Sequence, residues 1–393
     1  MTAVAIAPSR ASATTTSVRS LRSVEQVEAA RADWAALGFA SIDAHIDYFL
    51  AVTAAREEVE RPHVLLLERG GVTEGMLVAR LEQRTLPARF GYATVLRPTL
   101  RCLTVVHGGI AGSPSAVREL VRELLAGARA EKADAVFLHR APVDGALYRE
   151  ICAQAPAACR QRFVTATDHW AARLPDSFEK FEKDLPSKLR GNWRRDGRKL
   201  LAEFGDRLEI RRVREAEHLE RLVADLESVA SKTYQRGLNA GFSASDDLPL
   251  VKLALERGWF NAWLMYLDGE PSAFELGHLY GGSFFLGARG FDPQYGRHGI
   301  GTFLQVRMLQ DLCDDPAVHA IDFGFGDADY KRRCANLSWQ EADLLVYSPA
   351  PRPLLVGAAR NGVAGADWAA RRLAGKERIR RIKRRWRDLR TPG

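Results

Sequence analysis

The chain has 393 residues, 46% hydrophobic and 27% charged, enough to bury a sizeable core and to form two domains of ordinary size. No stretch approaches the roughly twenty uninterrupted apolar residues of a membrane span. The formal net charge of +8 suggests nucleic acid until it is located: eleven Lys or Arg between Arg371 and Arg390 face only Glu377 and Asp388, so the rest of the chain is near neutral.

The first sixteen residues are rich in Ala, Ser and Thr and lack a basic region ahead of their short apolar stretch, which fits a frayed tail over 1–19 better than a signal peptide. Five cysteines, Cys102, Cys152, Cys159, Cys313 and Cys334, are odd in number and free of metal-ligand spacing, which suits reduced thiols and a cytoplasmic setting. A first lobe is expected over 20–165. In it, the strand-like run His63 to Glu68 meets Gly70-Gly71 and a second strand, Gly75 to Glu82, as a hairpin. Apolar stretches around Tyr92 to Leu96 and Cys102 to Val106 lead to a glycine turn at Gly108-Gly109. A helix opened by Ser113-Pro114 runs to about Glu131, and a strand follows at Ala135 to Leu138.

A second lobe over 166–348 opens with a charged helical region, Asp176 to Phe204, with interruptions near Pro186 and Gly191. A strand follows at Leu208 to Val213, then helices over Glu215 to Thr233 and Ser245 to Arg257. Strands Trp259 to Leu267, Ser272 to Tyr280 and Ser283 to Arg289 are in hairpin order, turned by Asp268-Gly269 and Gly281-Gly282. After them come a glycine-rich loop, a helix from about Gly299 to Leu312, a strand at Val318 to Phe323, a short helix from about Asp327 and a last strand at Ala342 to Tyr347. Both halves run hairpin, glycine turn, amphipathic helix, apolar strand, which suggests a tandem duplication. The remainder, 349–393, is expected to be a linker and a basic amphipathic helix.

The chemistry concentrates at Gly296-Arg297-His298-Gly299-Ile300-Gly301-Thr302, which follows a strand and opens a helix. Glycines there let backbone N–H groups approach a diphosphate, and the positive end of the helix dipole attracts its charge. This segment resembles the pyrophosphate loop of the GNAT superfamily, with Gly299 and Gly301 at its two small positions and Gly296 where that family carries Gln or Arg. Ala320-Ile321-Asp322-Phe323-Gly324-Phe325-Gly326-Asp327-Ala328-Asp329-Tyr330-Lys331 resembles the signature of the branch called BioF2-like or CelD-like acetyltransferases, related to the two-lobed FemABX transferases. The helical entry Ser187-Lys188-Leu189-Arg190 with Trp193-Arg194-Arg195 is similar too. The resemblance covers about Phe178 to Tyr347.

It implies an α/β fold of two GNAT-like lobes, each a mixed, mostly antiparallel sheet flanked by helices, with the working site in the second. It also implies transfer of an acetyl or longer acyl group from acyl-CoA to an amine or hydroxyl. The acceptor is expected to be a small molecule or a saccharide such as a cell-envelope polysaccharide precursor. Arg297, His298, Gly299, Ile300, Gly301 and Thr302 would hold the cofactor, and Tyr330 would protonate the leaving thiolate.

Candidate bases are Glu275, His278, Asp322 and Asp327. Glu275 and His278, three apart on a strand, must face opposite sides of the sheet. Glu275 is preferred, since a carboxylate inside an apolar run is costly unless paired or functional; an ion pair with Arg289 on the neighbouring strand is its structural alternative. Asp327 is expected to cap the helix carrying Tyr330 or to meet substrate, and Lys331, Arg190 and Arg194 to meet an anionic acceptor or cofactor group. No metal is expected, because no His, Cys and carboxylate set shows ligand spacing.

In the tail, Ile379, Ile382, Trp386 and Leu389 recur at helical spacing among cations, which suits an anionic membrane surface, the protein's own body or a partner. Contact with the inner face of the membrane is favoured over nucleic acid. The competing readings are an aminoacyl-tRNA-dependent transferase like the FemABX relatives and a non-catalytic scaffold.

Overall fold

The computed structural model describes residues 16–91, 93–215, 217, 219–233 and 241–388, without the side chains of 373–388. The first lobe begins with strand β1 (Thr16–Leu21) and helices α1 (Val24–Ala29), α2 (Arg31–Leu37) and α3 (Ile46–Ala55). It continues through β2 (Val59–Arg69), β3 (Val72–Thr85), the small hairpin β4 (Ala88–Phe90) and β5 (Ala93–Leu96), then β6 (Thr99–Gly112), α4 (Pro114–Ala130), β7 (Ala135–Pro142) and α5 (Ala146–Gln154). The second has β8 (Thr167–Arg173), α6 (Phe178–Asp184), α7 (Ser187–Phe204), β9 (Leu208–Val213), α8 (Leu219–Ala230), α9 (Ala244–Glu256), β10 (Phe260–Leu267), β11 (Glu270–Tyr280), β12 (Ser283–Phe291), α10 (Ile300–Cys313), β13 (Ala320–Phe325), α11 (Asp329–Cys334) and β14 (Leu337–Tyr347). Helix α12 (Pro351–Asp388) ends the described chain.

Twelve strands form one sheet in the order β1-β2-β3-β6-β7-β14-β8-β13-β12-β11-β10-β9. The two lobes therefore share a sheet, because β14 lies between β7 of the first and β8 of the second, antiparallel to both. Period-two alternation decides what covers each face. Leu65, Leu67, Leu77 and Ala79 pack under α4, whereas Val64, Leu66, Met76 and Val78 pack under α1 to α3. In the second lobe Trp263, Met265, Ala273, Ile321 and Phe323 face α6, α7 and α10, and Leu264, Phe274 and Leu276 face α8 and α9. Full burial of each large apolar side chain contributes roughly 1.5–3 kcal/mol.

Several expectations are corrected. Thr16–Leu21 pairs with β2 as an edge strand, inside the stretch expected to fray; residues 1–15 lie outside the described residues. Gly108-Gly109 is a bulge rather than a turn: the pairing of β6 with β3 jumps from Val105↔Ala79 to Ile110↔Leu77 while the strand runs on to Gly112. Gly108 has φ +65°, and a Cβ there would sit 2.5 Å from Ser41 Cβ, so only glycine lets the Ser41 turn approach β6. Helix α7 passes through Gly191 unbroken; the break falls at Pro186, its N-cap. The first part of α12 docks on the first lobe, with Gly357 against the Tyr347 ring and Asp367 accepting from the Gly91 N–H at 2.7 Å. The side chains of Ile379, Ile382, Trp386 and Leu389 lie outside the described residues. Among the described residues no helix is long and apolar enough to cross a membrane.

His63 on β2 is fully buried against α4, beneath Gly127, and neither ring nitrogen has a hydrogen-bond partner. Burial pushes its pKa down to about 4, against the pull of Glu131. A lowered folded-state pKa means that the unfolded chain binds the proton more readily, so stability is lost as pH falls from about 6.5 towards 4. We expect His63→Leu to remove that part of the acid slope, up to about 3 kcal/mol, measured as the difference in urea midpoints between pH 7 and pH 4.5.

Candidate active site

Strands β12 and β13 run parallel for only three residue pairs, Ser283↔Ala320, Phe284↔Ile321 and Phe285↔Asp322, and then part. Beyond the split, β12 continues to Phe291 while β13 stays paired with β8. A bulge at the same level, between Leu276 and Gly277 of β11 against β12, bends the departing strand. Gly277 is required there, since a Cβ would lie 2.1 Å from the Phe285 carbonyl oxygen. The result is a wedge-shaped opening through the sheet.

On one face of this opening stands the N-terminus of α10. Gly299 is its N-cap at φ +68°, a left-handed conformation that explains glycine there. Gly301 lies over Phe291, where a Cβ would approach the ring to 3.1 Å. Arg297 and Thr302 are exposed, whereas the Ile300 side chain is wholly in the core, so only its backbone can serve a ligand. His298 is turned away, its Nδ1 3.0 Å from Glu203 and its ring edge-on to Phe204 at 5.3 Å, which makes it a tie between this loop and α7.

Arg289 of β12 joins the parts of this face. Its guanidinium is 2.8 Å from Glu275 on β11, donates to the Gly301 carbonyl at 3.4 Å and lies 4.2 Å from the centroid of the Tyr330 ring, whose hydroxyl also interacts with it. Glu275 is 1% exposed, and burial pushes its pKa up to about 7 against the pull of Arg289. The structure thus gives Glu275 the ion-pair role: it holds Arg289 and is closed to a substrate. His278, on the opposite face as strand alternation requires, lies edge-on to Tyr48 of α3 at 5.9 Å.

The other face of the opening carries a different set. Ile321 and Phe323 pack beneath α10, so Asp322 between them points the opposite way. Its Oδ1 accepts from the Gly324 N–H at 2.7 Å and lies 2.6 Å from His169 Nε2 on β8. His169 Nδ1 is 3.0 Å from Glu341 on β14, Glu341 is 3.2 Å from His107 Nε2 on β6, and His107 Nδ1 is 3.6 Å from Asp43. Trp339 stacks on His169 at 4.3 Å and donates to Glu341 at 2.7 Å. Burial works against charge on both imidazoles, but the carboxylates win. Asp43 and Glu341 raise His107 to about 10, Asp322 and Glu341 raise His169, and the two histidines hold Glu341 down to about 2 against its own burial.

This array spans both lobes, and of its members only Asp322 was a candidate from sequence. His107, His169 and Glu341 are isolated residues on three strands with no shared spacing. The legible signal was the position of His107 and Glu341 at the ends of apolar strand-like runs; His169 had none. The set also answers the expectation of no metal with a concrete group of candidate ligand atoms, all within 4.8 Å of one another.

The remaining candidates lie at the rim. Asp327 is not a cap; Ala328 holds that position, and Asp327 accepts from Arg332 at 2.7 Å on the surface. Lys331 turns back to donate to the carbonyls of Gly324 (3.3 Å) and Phe325 (3.0 Å), and burial lowers its pKa. Arg194 pairs with Glu182 at 2.6 Å and Arg190 donates to the Lys183 carbonyl, so both brace α6 against α7.

A continuous mixed sheet in two halves, with parallel strands that split beside a glycine-led helix, defines a two-lobed α/β fold. Residues 187–332 match the family model described as an acetyltransferase (GNAT) domain. Among solved structures, the chain is similar to FemX, at 12% identity over 84% of this chain and 98% of that one, with a TM-score of 0.58. It is also similar to a tandem GNAT protein from the clavulanic acid biosynthesis pathway (10% identity, 85% and 100% covered, TM-score 0.52) and to a conserved protein of unknown function from Bacteroides thetaiotaomicron VPI-5482 (10%, 81% and 97%, 0.51). No curated protein matches the chain. The segment 187–332 thus carries the match to an acetyltransferase (GNAT) domain, and the likeness to the solved structures shows a two-lobed fold of the same architecture.

Removing one partner of a buried ion pair strands the other charge, at a cost of about 3–5 kcal/mol. Glu275→Gln should therefore destabilise the fold by about that much, and adding Arg289→Met should recover most of the loss, as read by guanidinium unfolding of the two single variants and the double variant.

Proposed function

We propose that this protein transfers an acyl group from acyl-CoA directly to an amine or hydroxyl acceptor. The observation that carries the reading is the split between β12 and β13, which joins a face built for a diphosphate to a face lined by acid–base groups. The diphosphate would rest on the first turn of α10, at the N–H groups of Ile300 and Gly301, with the Thr302 hydroxyl and Arg297 beside it. The pantetheine arm would enter the split and hold its thioester within it, between Tyr330 on the near face and Asp322 on the far one. There Asp322, with Oδ1 already engaged, orients the acceptor and takes its proton through the other oxygen. Tyr330 supplies a proton to the leaving thiolate, and the Arg289 cation against its ring and hydroxyl stabilises the phenolate that remains. No covalent enzyme intermediate is needed.

The first lobe contributes Asp43 and His107 to the wall of the far face, so the acceptor would lie between the lobes. A saccharide or cell-envelope precursor fits a cleft of this polarity. The BioF2-like or CelD-like branch, a cytoplasmic setting and contact of the basic tail with the inner membrane face belong to the same reading. The similarity to FemX keeps an aminoacyl-tRNA donor as the second reading, which the same experiment separates.

Calorimetric titration with acetyl-CoA and longer acyl-CoAs should show one site per chain. Thr302→Glu places a carboxylate where a helix start favours it, so folding should be unharmed while diphosphate binding weakens at least about tenfold. Binding unaffected by Thr302→Glu, or binding of aminoacyl-tRNA with no CoA affinity, contradicts the reading. With a competent acceptor, Tyr330→Phe should lower turnover on the order of 10²-fold at little change in acyl-CoA affinity. Near wild-type turnover would remove Tyr330 from that role.

A further inference from the structure

The array on the acceptor face is arranged more specifically than a chain of ion pairs requires. His107 Nε2 and His169 Nδ1 each meet one oxygen of a single carboxylate, Glu341, with their rings nearly parallel at 7° and 6.0 Å between centroids. The outer nitrogen of each ring is held by an oxygen: His107 Nδ1 by Ser41 Oγ at 3.2 Å and Asp43 at 3.6 Å, His169 Nε2 by Asp322 at 2.6 Å. Such outer carboxylates fix ring orientation, so that the inner nitrogens present lone pairs once a metal ion displaces their protons.

Two of the inner atoms also lack hydrogen bonds. His169 is 4% exposed and Glu341 fully buried, yet His169 Nδ1 and Glu341 Oε2, though 3.0 Å apart, are misaligned and have no hydrogen-bond partner. An orphaned nitrogen and an orphaned carboxylate oxygen in a buried site leave room for a cation to satisfy both. Donors bound at about 2.0–2.1 Å in a tetrahedral zinc site stand about 3.3 Å apart; here Glu341 Oε1 is 3.2 Å from His107 Nε2, Oε2 is 3.0 Å from His169 Nδ1, and one ligand atom from each residue lies within 4.8 Å of the other two, so a small inward shift of the rings completes the set.

We propose that His107, His169 and Glu341 form a binding site for one divalent transition-metal ion of the zinc class, clamped between the two lobes. Two imidazoles and one carboxylate suit zinc and its neighbours rather than calcium or magnesium, which prefer all-oxygen shells. Three protein donors leave a fourth position for water or an acceptor oxygen. Because β6 belongs to the first lobe and β8 to the second, with β14 between their sheets, the ion ties both halves of the cleft together. The proposal is independent of the acyl donor: it stands or falls on metal binding alone.

The test uses the full-length chain after chelator treatment, titrated with Zn2+ by calorimetry and with Co2+ by visible absorption. The expected result is one equivalent per chain at micromolar affinity or tighter, with the intense Co2+ bands of a four-coordinate site. His107→Ala should weaken binding on the order of 100-fold, and Asp43→Asn, which removes only an outer partner, about tenfold. Circular dichroism checks that each variant is folded. If His107→Ala does not fold, Asp43→Asn, whose carboxylate is half exposed, still decides the matter. Absence of stoichiometric binding, or affinity unchanged in the folded variants, would overturn the proposal and leave the array as imidazolium–carboxylate ion pairs.

Discussion

The structure depends on where one strand goes. β14 leaves the second lobe's site through α11 and inserts between β7 and β8, pairing with both. Its backbone hydrogen bonds turn two half-sheets into one, and no hinge of loops separates the halves. Because its side chains alternate, Ala342 and Leu344 enter the buried core while Glu341 stays among the histidines of two other strands. Side-chain contacts reinforce the joint: Tyr280 donates to the Phe39 carbonyl at 3.1 Å, and Arg257 pairs with Asp47 at 3.1 Å.

A continuous sheet can be opened without being broken by letting two neighbouring strands diverge inside it. That happens between β12 and β13, where three pairs of residues hold the strands before they part, while β13 stays paired with β8 on its other side. The opening connects two chemically different faces. One is cationic and glycine-led, set by Arg289, Gly299 and Gly301. The other is a carboxylate–imidazole array drawn from both lobes. The proposed transfer, with a large anionic donor on one side and an acceptor on the other, rests on that division, and the buried Glu275 carboxylate keeps Arg289 in place.

The second lobe was largely legible in the sequence because its signals are local. Asp268-Gly269 and Gly281-Gly282 mark two hairpins, alternation marks β10 and β11, and Gly299-Ile300-Gly301 marks the start of α10. What failed to show was non-local. β8, with Asp168, His169 and Arg173 in its seven residues, has too polar a pattern to read as a strand, yet it carries the histidine that pairs with Asp322. Gly108-Gly109 has the composition of a turn, and only the neighbouring strand makes it a bulge. Glu275 illustrates the limit of burial as a guide: a carboxylate in an apolar run was rightly singled out, but whether it meets a substrate or an arginine depends on the strand beside it.

The proposed function stands on a donor that binds on α10 and enters the split between β12 and β13. Hydrogen–deuterium exchange of the full chain with and without saturating acetyl-CoA is the measurement to make. A donor so bound slows exchange at the first turn of α10, residues 300–303, and along the separated stretches of β12 and β13, residues 286–290 and 323–326. Protection confined to the first lobe around residues 108–113, or no protection at all, would contradict it.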